Sequence, residues 1–73
     1  MTRVERISSK SGQRFIDVMK HEDGSYLLHQ FSCKYDSEEE KNYEVRELPD
    51  PSGRFGDFSA AVLEAQRIMN LSN

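Results

Sequence analysis

The spacing of apolar residues changes once along this chain. Upstream of Pro49 they fall in short runs rich in β-branched and aromatic side chains; downstream they recur at helical intervals. Arg14–Lys20 and Tyr26–Tyr35 read as strands, because both hold residues that suit a pleated, half-buried surface. Asn42–Leu48 reads as another strand, stopped by Pro49 and Pro51. Val4–Ser8 is a weaker first strand, since Val4 and Ile7 do not share a face at period two; otherwise residues 1–12 form a flexible basic arm. Phe58, Ala61, Val62, Ala65, Ile68 and Met69 lie at offsets 0, 3, 4, 7, 10 and 11, one stripe of a helix. Asp57 or Ser59 caps its start with a side-chain oxygen, and Asn70 or Asn73 marks its end.

Turn chemistry joins these pieces. Ser9-Lys10-Ser11-Gly12, Glu22-Asp23-Gly24-Ser25 and the acidic run Asp36-Ser37-Glu38-Glu39-Glu40 separate successive strands, and Asp50–Gly56 leads into the helix. The pattern predicts an α+β fold: a three- or four-stranded antiparallel meander with one C-terminal helix packed on one face, ββββα, as a single domain over residues 1–73.

Which side chains share a face depends on the central hairpin. Asp-Gly between apolar runs favours a two-residue turn, which sets Ile16 opposite Phe31 and Val18 opposite His29. A three-residue loop instead sets Phe15 opposite Phe31 and Asp17 opposite His29. In the first register Phe15, Met19, Tyr26 and Leu28 gather on one face, and Ile16, Val18, Leu27 and Phe31 on the other. Either register leaves apolar side chains on both faces, and one helix covers only one. The expectation is that Phe15, Met19, Tyr26 and Leu28 form an association face, covered by a second copy in a homodimer or by another protein partner.

With 73 residues the chain has room for one small core. No apolar run approaches the roughly 20 residues of a membrane-spanning helix. The lone Cys33 makes no internal disulfide, so the expected setting is cytoplasmic, without membrane contact. Net charge is −3, unevenly spread. Residues 1–20 carry Arg3, Arg6, Lys10, Arg14 and Lys20 against Glu5 and Asp17, whereas residues 21–50 hold three positive and nine negative side chains. Basic residues interleaved with Phe15 and near Tyr26 suit a single-stranded nucleic acid, held by stacking and phosphate contacts. This is the alternative function, and Arg3, Arg6, Lys10, Arg14 and Lys20 are its contact residues. In order of elements alone, ββββα resembles the single-strand-binding coactivator and purine-rich-element proteins, and that resemblance implies a dimer of such units.

Candidate chemistry changes the picture little. His29 and Cys33 fall four apart on one strand, about 13 Å by strand rise, too far for one metal or for a nucleophile and its base. His21, Glu22 and Asp23 have no second cluster to answer them. Asp50-Pro51-Ser52-Gly53-Arg54 lacks the regular oxygens of a calcium loop. Gly53-Arg54-Phe55-Gly56 precedes the helix as a phosphate cradle would, but Asp57 at the helix start repels an anion. It reads as a structural loop with Phe55 tucked under the helix. The expectation is a small non-enzymatic binding or interaction module, without catalytic residues, metal or cofactor.

Overall fold

A computed structural model describes residues 1–51 and 53–71. Strands β1 (Thr2–Ser8), β2 (Arg14–Lys20), β3 (Tyr26–Asp36) and β4 (Lys41–Glu47) are followed by helix α1 (Phe58–Asn70). The strands form one antiparallel sheet in the order β1-β2-β3-β4. This is the ββββα meander that the pattern predicts. Residues 2–8 are a full strand and not an arm, and the mismatch between Val4 and Ile7 has a cause. The β1–β2 register shifts between Arg3 and Glu5, so Val4 is the extra residue of a bulge, while Glu5 and Ile7 oppose Val18 and Ile16.

The central hairpin corrects the expected register. His21 N–H donates to the Ser25 carbonyl at 2.8 Å and Gly24 N–H to the His21 carbonyl at 3.0 Å, closing a three-residue loop over Glu22, Asp23 and Gly24. A two-residue Asp-Gly turn needs both residues at positive φ. Only Gly24 has it, at 90°, while the Asp23 carboxylate accepts hydrogen bonds from the Ser25 amide and hydroxyl. Phe15 therefore opposes Phe31, Asp17 opposes His29, and Val18 opposes Leu28. In the acidic turn Asp36 accepts from the Glu38 amide, and Glu40 takes the left-handed conformation at φ 54°.

On one face Ile16, Val18 and Leu28 bury against Ala61, Ala65 and Met69 of the helix, with Ile7, Tyr26, Phe55, Val62 and Ile68 around them. The two alanines bring the helix close to the sheet. Asp57 is the cap: its carboxylate accepts from Ala60 N–H at 3.2 Å. The helix ends at Asn70, and the other expected end, Asn73, lies outside the described residues. Before the helix, Phe55 pairs with Tyr26 through two backbone hydrogen bonds of 2.7 and 2.9 Å, taking the place beside β3 that β4 vacates. The helix packs across β1, β2 and β3 and does not reach β4. At the other end β3 outruns β2: pairing between them stops at Arg14 and Ser32, while β3 and β4 continue together to Asp36 and Lys41. No helix is long and apolar enough to cross a membrane among the described residues.

Candidate association surface

Alternation along β2 and β3 sends Phe15, Asp17, Met19, Leu27, His29, Phe31 and Cys33 to the face away from the helix. Phe15 and Phe31 stack with ring centres 5.5 Å apart. Arg6, reaching over from β1, lies on them: its guanidinium carbon is 4.0 Å from the centre of the Phe15 ring and 6.0 Å from that of Phe31. The same guanidinium donates to both Asp17 oxygens, from Nε at 2.7 Å and Nη2 at 3.0 Å, and from Nη1 to Glu44 of β4 at 3.1 Å. Hydrogen bonding to Asp17 raises the Arg6 pKa against the opposing effect of burial. One side chain thus spans the sheet from β1 to β4. It leaves Phe15 and Asp17 only 6% and 5% exposed without any partner molecule. Met19, Leu27, His29, Phe31 and Cys33 are half-buried. Burial lowers the His29 pKa, and the charge of Arg46, itself paired with Asp50, adds to the effect.

The expected association face is therefore divided. Phe15 and Met19 lie on the helix-free side, whereas Leu28 is in the core under the helix and Tyr26 meets the Phe58 ring edge-on at 5.7 Å. The one-residue change of register is the whole reason. The five basic residues are also separated. Arg3 and Arg6 converge on Asp17, and Arg14 is 3.5 Å from Glu47. Lys20 closes β2 opposite Tyr26, and Lys10 sits in the β1–β2 turn. In the loop before the helix, Arg54 pairs with Asp23 at 3.0 Å. Hydrogen bonds from Ser25, with help from the charges of Arg54 and His21, hold the Asp23 pKa down at about 2. Among the described residues no three His, Cys, Asp or Glu side chains gather as metal ligands would.

Single apolar side chains such as Val4, Leu63 and Leu71 are exposed elsewhere, and β4 leaves a neighbouring pair bare. Because the helix stops at β3, Tyr43 and Val45 stay 47% and 38% exposed on the helix side of the sheet, followed by exposed Leu48. β4 is also an end strand, and among the described residues no strand lies beside its outer backbone groups. Their identity follows from the ladder. Cys33 N–H donates toward β2, to the Gln13 carbonyl, so Ser32 and Lys34 bond toward β4 and meet Val45 and Tyr43. Asn42, Glu44 and Arg46 then point their amides outward. The alternation Lys-Asn-Tyr-Glu-Val-Arg-Glu over 41–47 was the signal available in the sequence. What the sequence lacked was the width of the helix's footprint. No family model, curated protein or solved structure matches this chain.

Proposed function

We propose that this chain is a small non-enzymatic interaction module that pairs with a second copy of itself along β4. The observation that carries the reading is the bare flank: an end strand with Tyr43 and Val45 exposed beside it, beyond the reach of helix α1. The strand is complementary to its own reverse. About a two-fold axis at Glu44, an antiparallel copy sets Lys41 opposite Glu47, Tyr43 opposite Val45 and Asn42 opposite Arg46. Opposite charges and an aromatic against a β-branched residue are favourable cross-strand pairs. Glu44 meets its own copy, a repulsion that its hydrogen bond to Arg6 softens. The result is one continuous eight-stranded sheet with closed two-fold symmetry, which also removes an open edge.

Asn42→Pro is the discriminating change, because it deletes an outward amide and leaves the inward ladder of the monomer intact. Light scattering on a sizing column at about 200 µM should give twice the 8.5 kDa chain mass for the parent and one chain mass for Asn42→Pro. A parent that runs as a single chain at that concentration sinks the proposal.

A further inference from the structure

The step where β3 outruns β2 makes a second feature, independent of the β4 edge. The turn Ser9–Gln13 ends against it, and the Gln13 carbonyl accepts the Cys33 N–H at 2.7 Å, closing the floor. The notch has a volume of about 360 Å³ and is lined by Ser11, Gln13, Arg14, Ser32, Cys33 and Lys34. That is the small end of the roughly 300–1,000 Å³ typical of small-molecule sites.

Its lining is polar and basic. The chain has 13 acidic and 10 basic side chains, yet among the described residues two cations and no carboxylate line this notch. Four of the other five arginines are closely paired, Arg6 with Asp17, Arg46 with Asp50, Arg54 with Asp23 and Arg67 with Glu64, and Arg3 stands 3.8 Å from Asp17. Arg14 touches Glu47 only through Nε at 3.5 Å, and its guanidinium makes no hydrogen bond among the described residues. Lys34 has no ion pair among the described residues. The turn that frames the notch is held in shape before any ligand arrives. The Ser9 hydroxyl accepts from Arg14 N–H and the Ser11 hydroxyl from Gln13 N–H, each at 3.2 Å, and Gly12 supplies the positive φ of 74°.

We propose that this notch binds the phosphate group of a small phosphate monoester. A monoester carries between one and two negative charges at neutral pH, matching the two cations. Arg14 offers a planar fork to two of its oxygens, Lys34 a point charge to the third, and the Ser11 and Ser32 hydroxyls and the side-chain NH₂ of Gln13 supply neutral donors. The notch is larger than a phosphate group alone, and the remaining space takes the organic part of the ligand.

Amide-resolved NMR titration with methyl phosphate tests this, against sodium chloride of equal ionic strength and against acetate. The expected result is a saturable shift confined to residues 11–14 and 32–34, at least about fivefold stronger in affinity than acetate. Arg14→Gln and Lys34→Gln should each weaken it about tenfold, while Arg67→Gln, on the helix and outside the lining, leaves it unchanged. Both variants are at solvent-exposed positions, and their unperturbed spectra without ligand confirm the fold. Shifts that chloride reproduces, or that survive Arg14→Gln, overturn the proposal. So does a single-stranded 20-mer binding at these residues where methyl phosphate does not, which would make the notch a nucleic-acid backbone contact.

Discussion

The two faces of this sheet are both greasy, and they are kept from water by different means. On one, Ile16, Val18 and Leu28 meet Ala61, Ala65 and Met69, and carbon excludes water from carbon. On the other, the plate of Arg6 covers Phe15 and is itself held by Asp17 and Glu44. A guanidinium presents a weakly hydrated plane to an aromatic ring and keeps its donors at the rim, so it can shelter an apolar side chain and satisfy a carboxylate together. One arginine of the right reach therefore replaces part of a second helical layer. An apolar residue on the uncovered side of a ribbon does not by itself require a partner molecule.

Substitutions on each side sharpen the contrast. Leu28→Ala, in the carbon-lined side, should cost about 3 kcal/mol and lower the melting temperature by more than about 10 °C, read by thermal unfolding. Asp17→Ala, on the arginine side, leaves the Arg6 guanidinium over Phe15 without its main anchor. Arg6 is about one-third exposed, which moderates the loss to about 2 kcal/mol in urea unfolding. The double variant Arg6→Met with Asp17→Leu should recover most of it, since an apolar pair of similar bulk can replace an ion pair. A loss no larger than the scatter of surface substitutions in Asp17→Ala would mean that the roof is decoration.

The smallest effect concerns His29, on the same face. Its pKa is lowered in the folded state, so the unfolded chain binds protons more readily in the window below the ordinary histidine value of about 6.5. Stability should therefore decline as pH falls from 7 through that value, and His29→Gln should flatten the decline in unfolding curves collected from pH 7 to 5. An unchanged pH profile would mean that the imidazole is no less hydrated folded than unfolded.

The order of elements, the helix stripe and a cap at Asp57 or Ser59 were legible in the sequence, because each rests on local chemistry: strand composition, period, and a side-chain oxygen before a run of amides; the structure selects Asp57. The faces were not. The Asp23-Gly24 pair located the turn correctly, but the loop length was decided by Asp23 keeping negative φ while its carboxylate bound Ser25, a three-residue outcome that the dipeptide alone does not select. That single residue moved Tyr26 and Leu28 to the helix side and split the expected association face. Arg6 over Phe15 depends on the β1–β2 pairing, and a bulge at Val4 obscured the period of β1. The bare flank at Tyr43 and Val45 depends on where a helix comes to rest, which is a property of the assembled sheet.

The backbone pairing of Phe55 with Tyr26 has one more consequence. The chain rejoins the ladder immediately before the helix begins, so the helix takes its origin from β3 and not from the reach of the preceding connection. The helix position is thus fixed locally, at Phe55 and Tyr26. Foreign sequence spliced between Pro51 and Gly53 would leave the helix seated where it is, which makes this connection the natural place to display a grafted peptide on the scaffold.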